Sequence, residues 1–279
     1  MSEPRPAARP IAALHPYLQV PRPFVLAHRG LALGAPENSM PAFEAAVRAG
    51  ATHLETDVQA TADGVLVVFH DDRLERLTEL TGAVADVRWA HLRAAGLRGG
   101  VAVPLLSEVL EAWPRIRLNV DLKADGAVAP YVRLLRATRS TDRVCTASFD
   151  DRRRRVAVRG LAGLGPLAYS LGLAGSTRAV ALAAAGAPAA VLRRALAGAL
   201  ALQLPDRAGP VPVVSARLTR AVHAAGAQVH VWTVDEPRRM QELLAAGVDA
   251  LVTNRADLAV PLAAAVSTRV DPDDERQTS

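Results

Sequence analysis

A parallel α/β barrel of eight strands, with a small hairpin insertion after the second, is the fold class that this sequence predicts. Three observations lead to it. Strand-like runs alternate with helical patterns along most of the chain. Nine strand candidates occur, one more than a closed barrel needs, and Thr61-Ala62-Asp63-Gly64 accounts for the extra one: it is too short for a parallel crossover. Finally, 279 residues, half of them hydrophobic, suit one undivided barrel with an ample core.

Taken in order, strands are expected near 24–28, 53–58, 65–69, 116–122, 143–148, 166–170, 199–204, 228–234 and 249–253. Helices are expected near 40–49, 86–95, 107–113, 127–138, 151–159, 177–196, 215–225 and 236–246. Pro41 in the first turn and Gly50 past the end bracket the first helix, and Gly226 and Gly247 close later helices just before strands. The tight turn makes 53–58 and 65–70 antiparallel, which returns His70 beside Glu55. Residues at the C-terminal ends of barrel strands face the active site, and Arg29, Asp57 and Lys123 stand at such ends. Residues 1–23 read as a disordered or extended arm, 24–262 as the single barrel domain, and 263–279 as a polar, acidic tail.

Composition excludes several classes. The net charge is +5, yet the arginines are scattered and aromatics make up only 4%, which argues against nucleic-acid binding. The dense run Arg152–Arg155 reads as the solvated face of a helix. A single cysteine, Cys145, rules out a disulfide framework and a thiolate zinc cluster; its apolar surroundings make it a buried strand residue. No signal peptide is recognisable, and the Ala/Leu-rich stretch 156–204 is broken by glycines, prolines and arginines. A soluble, cytoplasmic protein without stable membrane insertion is expected. Nothing in the sequence sets the oligomeric state.

The chemistry lies in Ala27-His28-Arg29-Gly30, Glu55-Thr56-Asp57 and Phe69-His70-Asp71, each at the end of a strand-like run. Two histidines can serve as acid and base, an arginine can grip phosphate, and two carboxylates can hold a hard cation. Glu55 and Asp57 share one strand face, where mutual repulsion calls for a cation between them; a same-face salt bridge is the simpler alternative. Asp121 on a neighbouring strand supplies a third oxygen, and this set suits Mg²⁺ or Ca²⁺ better than zinc. Lys123 is the only lysine among 33 basic residues, and alternation puts it on one face with Asn119 and Asp121. His53 lies deeper on the Glu55 face and reads as a hydrogen-bonded interior residue. His230 shares a face with Trp232; His15, His91 and His223 read as surface residues, and Trp89 and Trp113 as core.

Together these segments resemble the glycerophosphodiester phosphodiesterase family. The matching strings are Ala27-His28-Arg29-Gly30, Pro36-Glu37-Asn38-Ser39, Glu55-Thr56-Asp57-Val58, Asp63-Gly64 and Val67-Val68-Phe69-His70-Asp71. Further on come Pro104-Leu105-Leu106-Ser107-Glu108, Asn119-Val120-Asp121-Leu122-Lys123, Ser148-Phe149-Asp150 and Val231-Trp232-Thr233. The resemblance covers about residues 24–258. It implies a TIM (β/α)8 barrel that cleaves glycerophosphodiesters to glycerol 3-phosphate and an alcohol with a divalent cation. It further implies Glu55, Asp57 and Asp121 as metal ligands, His28 and His70 as the acid–base pair, and Arg29 and Lys123 as phosphate contacts. Glu37 would hold the metal or the glycerol, and Trp232 would wall the pocket. Three departures stand out. Asp121 replaces a usual glutamate, one methylene shorter, and Ser39 replaces a threonine. Asn254 replaces an aspartate, a change expected to affect a loop. Two rival functions are a lysophospholipase D-like activity on lysophospholipids and a non-catalytic phosphate-binding barrel.

Overall fold

The computed structural model describes residues 15–267. In chain order the elements begin β1 (Phe24–His28), α1 (Met40–Arg48), β2 (His53–Ala60), β3 (Leu66–Val68), α2 (Trp89–Ala95), α3 (Leu106–Ala112), β4 (Arg117–Leu122) and α4 (Val128–Thr138). They continue with β5 (Val144–Ala147), α5 (Asp151–Gly160), β6 (Ala168–Tyr169), α6 (Leu173–Ala184), α7 (Ala189–Leu196) and β7 (Ala201–Pro205). The last are β8 (Arg207–Ala208), β9 (Val211–Pro212), α8 (Ala216–Ala224), β10 (Gln228–Trp232), α9 (Pro237–Ala245), β11 (Ala250–Thr253) and α10 (Ala256–Ser267).

Eight parallel strands follow the order β6-β5-β4-β2-β1-β11-β10-β7, and a parallel bridge between Ser170 and Ala201 brings the two ends together. β3 folds back antiparallel on β2, with Val58 opposite Val68. The chain is therefore a TIM barrel with a hairpin after its second strand.

Period-two alternation separates two apolar layers. Val25, Ala27, Leu54, Leu118, Val120, Val229 and Leu251 point outward into the core beneath the helices. Phe24, Leu26, Cys145, Ala250 and Val252 fill the lumen. The same alternation turns Glu55, Asp57, Asn119 and Asp121 inward, so the polar positions of the sequence become the upper lumen.

Five expectations need correction. Residues 15–23 are not an extended arm. Pro16–Leu18 forms a 3₁₀ turn and drives Tyr17 into the lumen floor, fully buried, where its carbonyl meets His53 Nε2 at 3.0 Å. His15, expected at the surface, is 3% exposed and caps that turn through Nδ1. The single helix expected over 177–196 is two, because Gly186 takes φ +73° and Pro188 supplies no N–H to continue a helix. The barrel does not end at 262: α10 runs to Ser267, with Ala263 buried against the sheet. The parts of the expected arm and tail at 1–14 and 268–279 lie outside the described residues. Within the Arg152–Arg155 run, Arg154 turns inward onto the Tyr169 ring and pairs with Asp151. Cys145 is buried as expected, and among the described residues no helix is long and apolar enough to cross a membrane.

The Tyr17 hydroxyl is buried without a hydrogen-bond partner. An unsatisfied buried polar group costs about 1–3 kcal/mol. Tyr17→Phe keeps the ring and removes that cost, so it should raise stability by about 1 kcal/mol, a gain of about 2–4 °C in Tm for a chain of this size. Tyr17→Ala should lose about 3–5 kcal/mol through the cavity it leaves. Thermal unfolding of the two variants checks both signs.

Candidate active site

Strand register sets the site. His28 at the end of β1 pairs with Glu55 on β2, and Asp57 pairs with Asp121 on β4. Lys123 follows directly beyond β4, and its backbone N–H bonds to Val58. The hairpin carries His70 back to the same mouth, with Phe69 N bonded to Asp57 O. A cleft of about 310 Å³ is lined by His28, Arg29, Glu55, Asp57, His70, Asp121, Lys123 and Trp232. Glu37 does not line it.

Local backbone conformation aims the first motif. Arg29 adopts φ +56°, uncommon for a side chain with a Cβ, and strain of this kind gathers at functional sites. Its backbone N bonds to Glu55 O, and its Nη1 donates to Glu37 Oε1 at 2.9 Å, while Nε lies 3.1 Å from Asp57 Oδ2. Gly30 follows at φ +87°; a Cβ there would fall 2.7 Å from the Ala42 carbonyl carbon, so α1 can sit this close only over glycine. Asn38 donates to Asp57 Oδ2 at 3.0 Å and accepts from Thr56 Oγ1 at 2.7 Å.

The carboxylates are unequal. Lys123 Nζ stands 2.9 Å from Asp57 Oδ1 and 2.7 Å from Asp121 Oδ2. Burial alone would raise Asp57, but Lys123 and Arg29 outweigh it and hold the carboxyl below the usual range. Burial would likewise lower Lys123, and the two aspartates instead push it up to about 12. Glu55 has no such partner: its nearest donors are Arg29 N at 3.3 Å and His28 Nε2 at 3.9 Å. Burial, then Asp57 and Asp121, pushes its carboxyl well above the ordinary value. Burial also raises Asp121, whose Oδ1 is buried without a partner.

As the side chains stand, no three His, Cys, Asp or Glu among the described residues enclose one metal position, and the Lys123 ammonium occupies the gap between Asp57 and Asp121. The donor set still fits a hard cation. The orphaned Asp121 oxygen and the uncompensated Glu55 carboxyl are what an oxygen-seeking ion would satisfy.

Both histidines are held from behind through Nδ1. His70 Nδ1 lies 2.6 Å from Asp71 Oδ1, and Arg76 grips that carboxylate with Nε at 2.5 Å and Nη2 at 3.0 Å. The Arg76 bonds hold the Asp71 carboxyl down at about 2, against the opposing effect of burial. Arg76 Nη2 also reaches Glu37 at 2.6 Å, so one guanidinium ties the His70 support to the Arg29 support. His28 Nδ1 lies 2.8 Å from Asn254 Oδ1, and burial lowers the pKa of His28. Asn254, expected only to alter a loop, is therefore in contact with the site.

The remaining expectations sort by depth. His53 is fully buried in the lumen, stacked on Phe24. His230 is buried below the cleft and bonded to Gln228 at 3.0 Å, while Trp232, two residues on, reaches the cleft. His223 is exposed, as expected, and its Nε2 lies 2.6 Å from Asp249. His91 is exposed, and Trp89 and Trp113 are half-buried against apolar neighbours. Beside the charged residues, the segments that follow β5 and β6 supply Phe149, Leu171 and Leu173; Lys123 Nζ lies 5.4 Å over the Phe149 ring, and the Phe149 and Trp232 rings meet edge-on at 5.6 Å. Sequence reasoning missed Asn38, Asp71, Arg76, Phe149 and Asp235 as site residues. Asn38 and Asp71 lay inside the matched strings; Arg76 lies in a charged run with no periodicity to flag it.

The model of the glycerophosphoryl diester phosphodiesterase family matches residues 28–258. This chain belongs to that family. The phosphodiesterase is 42% identical over 234 residues to "Probable glycerophosphodiester phosphodiesterase 2" of Mycobacterium tuberculosis, covering 84% of this chain and 88% of that one. Among solved structures, the glycerophosphodiester phosphodiesterase of Agrobacterium tumefaciens superposes with a TM-score of 0.67 at 25% identity, covering 86% of this chain and 98% of the other. An Oleispira antarctica phosphodiesterase in complex with sn-glycerol-3-phosphate shares the fold of this phosphodiesterase, with a TM-score of 0.69 at 22% identity, covering 86% and 96% of the two chains.

Proposed function

We propose that this phosphodiesterase hydrolyses glycerophosphodiesters to glycerol 3-phosphate and an alcohol. Glu55, Asp57 and Asp121 would hold Mg²⁺ or Ca²⁺, and His28 and His70 would act as general acid and base. The observation that carries the reading is that both imidazoles line one cleft with three inward carboxylates, each with Nδ1 engaged from behind and Nε2 left for chemistry.

When bound, the cation supplies fixed positive charge at a phosphoryl oxygen. Arg29 and Lys123 add charge beside it, where negative charge builds in the transition state. Glu37 enters through Arg29, whose guanidinium it holds. One imidazole takes a proton from the nucleophile and the other gives one to the leaving alkoxide. The nucleophile is water, or the neighbouring glycerol hydroxyl by way of a cyclic phosphate. A second reading, hydrolysis of lysophospholipids, is favoured by the uncharged wall of Phe149, Leu171 and Leu173, which could shelter an acyl chain.

The test is product release, with and without Mg²⁺ or Ca²⁺, from glycerophosphocholine, glycerophosphoethanolamine, glycerophosphoglycerol and a lysophospholipid. Glycerol 3-phosphate from the first three supports the main reading. Faster release of lysophosphatidate transfers the assignment to the second, and no release from any of them overturns both.

Lys123→Arg is a sharper test of the charged wall. The ammonium fits between two aspartate oxygens at 2.7 and 2.9 Å, a point-charge geometry that a planar guanidinium cannot reproduce. The variant keeps the charge and most of the stem, so it should fold with a near wild-type Tm and lose about 10²-fold or more in kcat. Unchanged kinetics would show the lone lysine to be an accident of composition.

A further inference from the structure

Behind His28 lies a pair of residues that the catalytic scheme above does not use. Asp235, in the loop after β10, accepts three hydrogen bonds from the end of β11 and the residue that follows it. Asn254 N and Thr253 Oγ1 donate to its Oδ1 at 2.8 and 3.0 Å, and Asn254 Nδ2 donates to its Oδ2 at 2.8 Å. The other end of the Asn254 amide presents Oδ1 to His28 Nδ1 at 2.8 Å.

The chemistry of these groups permits one arrangement. An ionised carboxylate only accepts, so it selects the amide orientation with Nδ2 toward Asp235 and Oδ1 toward His28. The reverse orientation would press two oxygens together at the same 2.8 Å. A carbonyl oxygen in turn accepts only, so His28 must carry its proton on Nδ1. The lone pair is left on Nε2, the atom 3.9 Å from Glu55 Oε2 on the cleft side. His70 receives the same tautomer from Asp71, but there the orienting group is itself a carboxylate.

We propose that Asn254, locked by Asp235, is a positioning residue that fixes the tautomer and ring orientation of His28. Asn254 is not among the residues lining the cleft and would act through the imidazole alone. Both residues lie at the surface, so removing the amide leaves the core intact. The inference rests on the acid–base reading of His28, and its spectroscopic arm is independent of that reading.

The experiment compares Asn254→Leu, Asn254→Asp and the wild type in full-length protein. Steady-state kinetics on glycerophosphocholine are combined with ¹⁵N spectra of labelled histidine, and thermal unfolding controls for folding. Asn254→Leu keeps the size and loses the acceptor. Its kcat should fall about 10²-fold with KM within about twofold, and His28 should shift to a mixture rich in the Nε2–H form. Asn254→Asp restores an acceptor, so it should keep the Nδ1–H form and retain kcat within about tenfold, the remaining loss arising from repulsion by Asp235. A His28 that stays Nδ1–H in Asn254→Leu overturns the proposal. An altered tautomer with unchanged kcat would keep the orienting contact but remove His28 from the acid–base pair, and this separates failure of the inference from failure of the mechanism.

Discussion

Replacing His70 by alanine is expected to lower kcat by about 10²–10⁴ while the protein unfolds near the wild-type temperature. The imidazole is about a third exposed, so its removal costs little packing. What would be lost is the proposed proton carrier, held by Asp71 and, through it, by Arg76. His28→Ala should fall in the same range. A substrate with a nitrophenol leaving group separates the two, because a phenolate of low basicity leaves without an acid; it should rescue one variant and not the other. If both variants keep near wild-type turnover while folded, the acid–base assignment is wrong.

Chelation is the second large effect. Chelator-treated enzyme should be inactive and should recover with Mg²⁺ or Ca²⁺, whereas Asp57→Asn should not recover. The proton balance gives a readout besides activity. Glu55 is held well above the ordinary carboxyl range, by burial first and then by Asp57 and Asp121, so it keeps its proton at pH values where an exposed glutamate has lost it. A cation that binds Glu55 must displace that proton. Affinity should therefore rise as pH is raised above the ordinary carboxylate range, and calorimetry in two buffers of different ionisation enthalpy should detect the released proton. Full turnover by metal-free enzyme, or binding without proton release, contradicts the assignment of Glu55 and its neighbours.

The sequence by itself determined the barrel. Alternation along the strands depends only on side-chain direction, so the inward positions of Glu55, Asp57, Asn119 and Asp121 were legible from spacing. The turn at Thr61–Gly64 was legible because its length forbids a crossover, and it correctly placed His70 at the mouth. Low complexity blurred 156–204, where the break between α6 and α7 at Gly186 and Pro188 had to be observed. Tertiary structure decided the rest. Tyr17 reads as part of a proline-rich arm, and only the open floor of a closed barrel gives it a place to be buried. Glu37 resembles a ligand in its motif, yet folding commits it to Arg29 and Arg76 outside the cleft. Asn254, just past β11, and His28, at the end of β1, are 226 positions apart, and their two neighbouring strands meet only when the barrel closes. Local patterns fix which face a side chain takes. Which partner it meets across the barrel depends on closure and register, and these have no local signature.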